Sequence, residues 1–356
     1  MKVGIIGLPQ TGKKTLFQVL TGSQVHEAGG PSKPIPGTAN IVDNRFDRLA
    51  GLYQPKKETR ARIDLVLLPK MEQEAIAKGD IFRDISDVDA LCHVVRAFED
   101  DAIYHAAGSV DPLRDVETVN SELLLHDQIF LEKRLERLEV SLKKIKDERQ
   151  VKEFELLKRM QAELENERPL RLMHLTEEED QLIRSYPLIT RKEMIVVFNV
   201  GEDQLADTSL LERVRELCAA GKMEAMTVSA KVEAEIALLD SAEERQEFLS
   251  DLGIVEPALE VLASLCLKAL GRISFFTVGK DEVHQWLVRV NSPAPVAAGV
   301  IHTDLQKGFI RAEVIKYDEL IAHGSEAELK KAGKLYVQGK DYIVEDGDIL
   351  NIRFNI

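Results

Sequence analysis

Short, continuously apolar runs punctuate the first part of the chain and return after residue 190. Val3 to Ile6, Ile63 to Leu68 and Leu91 to Val95 are the first of them, and Met194 to Phe198 and Ala225 to Val228 continue the series. Runs without polar alternation predict strands covered on both faces, and their interleaving with stretches of helical period predicts a mostly parallel sheet with helices on both sides, an α/β fold. The stretch from Gly29 to Asn40 is too rich in Pro and Gly for regular structure and reads as a loop.

From Ser121 to about Asn166 the period changes. Leu131, Leu135, Leu138, Leu142 and Ile145 step by four and three, a heptad seam, and Phe154, Leu157, Gln161 and Leu164 resume the rhythm out of phase. The break near Asp147 to Gln150 predicts two helices folded back as an antiparallel coiled-coil hairpin, ended by Arg168-Pro169. Thr176, with Glu179 three residues on, predicts a capped helix start. A helix through Ser209 to Ala219 and a long helical stretch ending near Leu270 follow. Beyond Gly271 come short strands near Ile273 to Val278, Ile310 to Ile315, Leu335 to Val337 and Ile349 to Phe354, with one helix near Asp281 to Val288 that would hold Trp286 in the core. These predict three parts: residues 1–118 with 186–275 as one α/β domain, 119–185 as a helical insertion, and 276–356 as a small α+β domain.

A length of 356 residues suits two or three domains. The net charge of −14 argues against a protein that coats nucleic acid over its whole surface. A local basic cluster, Lys143, Lys144, Lys146, Arg149 and Lys152, lies near the hairpin tip, where Asp147 and Glu148 dilute it and it reads as a solvated helix face. The three cysteines, Cys92, Cys218 and Cys266, show no Cys-x-x-Cys spacing and read as buried, reduced thiols. His302 has no second histidine at ligand spacing, so no metal is assigned to it. Neither a leader nor a membrane-length apolar run is apparent, so a soluble, cytoplasmic protein without a membrane partner is expected.

Candidate chemistry sits at the first strand-to-helix turn. Gly7-Leu-Pro-Gln-Thr-Gly-Lys-Lys-Thr15 follows an apolar strand and opens a helix. A Gly-x4-Gly-Lys loop in that setting aims backbone N–H groups, a helix N-terminus and one lysine at a single point, which makes it a phosphate cradle. Gly7 and Gly12 allow the tight turns, Lys13 would reach the β- and γ-phosphates, and Gln10, Thr11, Lys14 and Thr15 complete the loop. A second signal closes a later strand. Asn199-Val-Gly-Glu202 stands where GTPases of this type carry Asn-Lys-x-Asp to read guanine, with Val200 for the lysine and Glu202 for the shorter acid, which weakens guanine selection. Ser229-Ala230-Lys231 follows another strand, as does the Ser-Ala-Lys loop whose backbone touches the base.

Together with His93-Val-Val-Arg-Ala-Phe-Glu-Asp100, Ser229-Ala-Lys-Val-Glu-Ala-Glu235, Ala298-Gly-Val-Ile-His-Thr-Asp304 and Gly308-Phe-Ile-Arg-Ala-Glu313, these motifs resemble the YchF subfamily of Obg-like P-loop NTPases over essentially the whole chain. The resemblance implies a GTPase-type domain, a helical hairpin insertion and a C-terminal TGS domain of ubiquitin-like β-grasp fold. It further implies ATP preferred to GTP and association with the ribosome or ribosomal RNA. Carried over by position, Gln10 to Thr15 hold phosphates, and Asn199, Val200, Glu202, Ser229 and Ala230 surround the base.

Three departures concern Mg²⁺. Lys14 replaces the serine that ligates the metal. Leu67-Leu68-Pro69-Lys70 replaces Asp-x-x-Gly, removing a carboxylate and the glycine whose amide senses the γ-phosphate. The switch threonine has no clear counterpart in Pro31-Ser32-Lys33-Pro34, with Thr38 a substitute to consider, and the glycine-rich segment that follows is shortened to Met71 through Asp84. Since Mg²⁺ supplies much of the charge cancellation in phosphoryl transfer, the expectation is a purine nucleotide-binding protein with slow or impaired hydrolysis and weak or absent Mg²⁺. In that reading Lys14, with Lys13 and Lys70, partly replaces the metal's charge. The alternatives are a competent Mg²⁺-dependent ribosome-binding ATPase and a nucleotide-independent scaffold acting through the hairpin and the TGS domain.

Overall fold

The apolar runs become strands. In chain order they are β1 (Lys2–Ile6), β2 (Ile35–Asn40), β3 (Lys57–Thr59), β4 (Arg62–Leu67), β5 (Ala90–Arg96), β6 (Met194–Asn199), β7 (Met223–Val228), β8 (Arg272–Thr277), β9 (Glu282–Arg289), β10 (Phe309–Lys316), β11 (Tyr336–Gln338) and β12 (Asp348–Phe354). The computed structural model describes residues 2–25, 33–72, 76, 79–105, 107–144, 147–205, 207–239, 241–252, 254 and 257–355. The start of the Gly29 to Asn40 loop, Pro31 and Ser32, Ile145 and Lys146, and part of the shortened segment from Met71 to Asp84 therefore lie outside the described residues.

Chain contacts divide the protein into two units, Met1–Ala39 with Asp64–Ala258 and Asn40–Ile63 with Leu259–Ile356. The first is built on a six-stranded sheet of order β2-β4-β1-β5-β6-β7, in which β1 pairs in parallel with β4 and β5, and β5–β6 and β6–β7 are parallel as well. Every residue of β5 and β6 is buried, as an uninterrupted apolar run requires when helices cover both faces. The chain runs outward from β1 to β4, then crosses to β5 and onward to β7. Loops after strands on either side of that reversal open at one carboxyl edge, where sheets of this kind hold ligands.

The hairpin helices are Pro112–Leu142 and Glu148–Glu165. The first begins well before Ser121, with Asp111 as its cap accepting from Arg114 N and Pro112 at the first turn. Residue 118, the sequence-based boundary, falls inside this helix. Leu131, Leu135 and Leu138 pack on Leu156, Leu157, Met160 and Leu164, with Phe154 partly buried against them, so the second helix adds Leu156 and presents Met160 where Gln161 was expected. Glu153 is buried beside this seam, paired with Arg134 and with the Tyr186 hydroxyl. Asp127 fastens the hairpin to the chain entering β6. Its fully buried carboxylate accepts from Ile189 N at 2.9 Å and from Thr190 N and Oγ1, each at 2.7 Å. The capping box at Thr176 and Glu179 is present and opens the helix Glu177–Ile183.

The second unit carries a sheet of order β11-β10-β12-β8-β9-β3, antiparallel at β10–β11, β10–β12 and β8–β9 and parallel at β12–β8 and β3–β9. Two expectations are corrected here. The segment Asp281 to Val288 is not a helix: Glu282–Arg289 is β9, hydrogen-bonded to β8 on one side and β3 on the other. Its apolar residues mimic helical spacing, but Val283, Trp286 and Val288 are β-branched or aromatic and suit a pleated surface. Trp286 is partly buried, stacks on His284 with ring centroids 3.6 Å apart, and donates from Nε1 to Thr277 Oγ1. The other correction is that Ile35–Asn40, read as loop, is a strand. It forms an edge of the first sheet, where Pro36 is tolerated because one side of the strand needs no ladder bond.

The segment from Asn40 to Ile63, assigned from sequence to the first domain, also packs in this unit. Phe46 and Leu49 of the helix Asn44–Tyr53 share a core with Phe276, Val283, Ile315 and Leu320. No helix among the described residues is long and apolar enough to cross a membrane.

Candidate nucleotide site

The loops after β1, β4, β5, β6 and β7 converge on one cleft of about 1020 Å³. The phosphate end is the turn between β1 and the helix Lys13–Thr21, whose N-terminal cap, Gly12, has φ 88°. The helix dipole and the N–H groups of the first turn at that end favour an anion. Lys13 is buried and its Nζ donates to Gly7 O at 2.5 Å and to Leu8 O at 3.4 Å. Burial first, and the neighbouring Lys70 second, push its pKa down to about 7, with Glu72 opposing.

Asn199 joins the two ends of the cleft. Its Nδ2 donates to Thr11 O at 3.0 Å, and its Oδ1 accepts from Ala230 N at 2.9 Å, so one buried amide ties the phosphate loop to the loop after β7. Ser229 caps the helix Ala230–Ile236 through its side chain. Val200 is buried, its N–H bonded to Val228 O, while Glu202 is exposed at the rim.

Of the residues singled out from sequence, Gln10, Thr11, Gly12, Lys13, Lys14, Thr15, Asn199, Val200, Glu202, Ser229 and Ala230 line this cleft. Gly7 does not. It sits beneath the loop with φ 152°, its Cβ position taken by the carbonyl of Val94, and contributes its own carbonyl to Lys13.

The wall that sequence reasoning missed is the segment after β5. Phe98, Glu99, Asp100, Ala102 and Ile103 line the cleft, and Arg96, almost wholly buried, holds them. Its guanidinium donates to the carbonyls of Phe98 at 3.1 Å, Asp100 at 3.2 Å and Ile103 at 3.0 Å and lies over the Phe98 ring. The amides of Ala97 and Phe98 both reach Asn199 O. The available signal was position: the run His93 to Asp100 ends a central strand at the ligand edge of the sheet. His93 itself is buried, its Nδ1 without a hydrogen-bond partner among the described residues, and burial, then Lys13, push its pKa down to about 3, which keeps it neutral.

The full length of this chain aligns with relatives. It is 41% identical to the ribosome-binding ATPase YchF of Bacillus subtilis, and the alignment covers all of both proteins. The chain belongs to the YchF family of Obg-like P-loop NTPases. It is also 36% identical to Obg-like ATPase 1 of Caenorhabditis elegans, over all of this chain and 92% of that one. The structure of the Schizosaccharomyces pombe YchF GTPase superposes with a TM-score of 0.83 at 29% identity, covering 99% of this chain and 97% of that one. The family model YchF-GTPase_C, described as "Protein of unknown function (DUF933)", matches residues 272–355.

Within this YchF chain the residues at the phosphate end do not fit Mg²⁺. The helix begins Lys13-Lys14, leaving Thr15 as the first hydroxyl, and the end of β4 supplies buried Leu67 and Leu68. The carboxylates that line the cleft, Glu99, Asp100, Glu202, Asp203 and Glu235, come from the loops after β5 and β6 and from the helix after β7, and none comes from the phosphate loop or from β4. Among the described residues no group of three or more His, Cys, Asp or Glu is arranged to hold a metal ion. Thr38 lies exposed on β2 and is not part of the cleft lining. Lysines stand there instead: Lys13, Lys14 and Lys70 all line the cleft.

Proposed function

We propose that this chain is a cytoplasmic, ribosome-associated protein that binds a purine nucleoside triphosphate, ATP at least as well as GTP, and hydrolyses it slowly with little dependence on Mg²⁺. The observation that supports this reading is a cradle in which Asn199 bridges the phosphate loop and the base loop, while Lys13, Lys14 and Lys70 line the phosphate end and no carboxylate of the phosphate loop or of β4 lines the cleft. Ribosome association rests on the relatives named ribosome-binding ATPases. The C-terminal unit is, in this reading, the TGS domain.

Phosphoryl transfer relies on positioning and on cancelling developing charge. Lysine ammonium groups bind phosphate as flexible point charges, which supports affinity better than the fixed geometry that a transition state needs. Base choice follows from the rim. GTPases use a short aspartate against guanine, with a lysine along the ring; here Glu202 is exposed at that place and Val200 is buried. Guanine therefore loses its selective contact, and adenine loses nothing.

Calorimetric titration of nucleotide-free protein with ATP and GTP, followed by single-turnover hydrolysis, tests the reading. ATP affinity equal to or above that for GTP is expected, with hydrolysis no faster in Mg²⁺ than in chelator. A GTP preference of about tenfold, ~1.4 kcal/mol, or a strong acceleration by Mg²⁺, contradicts it.

A further inference from the structure

We infer that Lys70 is the specificity residue by which this site distinguishes a nucleoside triphosphate from a diphosphate, its ammonium receiving the γ-phosphate. This deepens the reading just given and rests on it.

The geometry comes from the pairing of β4 with β1. The two strands run in parallel with Ile5 opposite Leu67, so the chain leaves both strands side by side. Leu68 N donates to Ile5 O at 3.1 Å, and Met71 N donates to Gly7 O at 3.3 Å. That same Gly7 carbonyl receives Lys13 Nζ. Residues 68–71 thus lie against the first turn of the phosphate loop, and Lys70, one residue before the anchoring amide, lines the cleft with Lys13 and Lys14.

In sequence Lys70 occupies the place of the glycine whose amide senses the γ-phosphate in GTPases. Lys70 keeps a backbone N–H, although the preceding Pro69 has none, and adds a side-chain cation that a glycine could not bring to an anion. Lys70 pairs at present with Glu72 at 3.2 Å, the two side chains 32% and 51% exposed. An ion pair this open to solvent is weak, and a phosphate with three acceptor oxygens competes for the ammonium. The α- and β-phosphates, by contrast, fall to the phosphate-loop amides, with Lys13 between the β- and γ-phosphates, so a diphosphate has no comparable need for Lys70.

The test is titration of ATP and ADP, both in excess chelator, into the intact protein and into Lys70→Gln and Lys70→Arg variants. The wild type is expected to bind ATP more tightly than ADP. Lys70→Gln should lower ATP affinity about tenfold and change ADP affinity by less than about twofold, and Lys70→Arg should keep the ATP preference. Equal losses for both nucleotides in Lys70→Gln would mean a merely structural residue and overturn the inference. So would no change in either, or a wild type that binds ATP and ADP equally, and in these cases the nucleotide site itself would stand. A wild type that binds neither nucleotide removes both readings.

Discussion

Replacing Lys13 by methionine is expected to lower ATP affinity about a hundredfold or more. Hydrogen bonds to a charged group contribute roughly 1.5–3 kcal/mol each, and Lys13 would contact two phosphates, a combined ~3–6 kcal/mol against ~1.4 kcal/mol per tenfold. Before nucleotide arrives, its ammonium rests on the carbonyls of Gly7 and Leu8 in a buried setting that holds its pKa near 7, down from 10.5.

This depression fixes the sign of the pH dependence. Between about 7 and 10.5 the unfolded chain keeps a proton on Lys13 that the folded, nucleotide-free protein has lost, so folded stability rises with pH across that window. A bound triphosphate reverses the preference, because its charge raises the pKa again. ATP binding should therefore take up close to one proton at about pH 8, almost none at about pH 6, and weaken as pH rises above 7. Calorimetry in two buffers of different ionisation enthalpy measures the uptake. Lys13→Met should abolish it, and a wild type without uptake at the higher pH would contradict the assignment.

The second large effect is expected from a single methyl group. Gly12→Ala should remove nucleotide binding and lower folding stability by ~2–4 kcal/mol, combining left-handed backbone strain with a lost buried hydrogen bond. Gly12 has φ 88°, and an added Cβ would overlap Nδ2 of Asn199, the atom that donates to Thr11 O. Asn199 must then release the phosphate loop, the base loop or both. Gly22→Ala is the control. That glycine ends the same helix at φ 65°, yet nothing lies within 4 Å of its Cβ position, so only backbone strain is added. Denaturant unfolding should show both variants shifted to a lower midpoint, Gly12→Ala further, and ATP titration should separate them, with binding retained in Gly22→Ala.

What the sequence made legible was whatever depends on neighbours in the chain. β5 and β6 announce themselves as apolar runs, the phosphate loop as a spaced glycine motif, and the Thr176 helix as a capping box. What it hid depends on partners far away. Glu153 is buried beside the hairpin seam because Arg134 and Tyr186 meet it there. The segment from Asn40 to Ile63 packs with the C-terminal unit because β3 finds β9, more than two hundred residues on. β9 looked helical until its pairing with β8 and β3 decided between two periods. Most of the candidate site was legible as motifs, yet the wall after β5 was not. It exists because one buried guanidinium gathers three carbonyls, and no spacing rule encodes that.

Lysines, rather than a divalent cation, are expected to neutralise the triphosphate in this cleft. The most direct measurement is the ATP dissociation constant of nucleotide-free protein, first in excess chelator and then in Mg²⁺. The two values are expected to agree within about threefold, a difference of ~0.7 kcal/mol. Binding that weakens tenfold or more on removing Mg²⁺ would show that the cleft holds the metal after all, and would contradict the account.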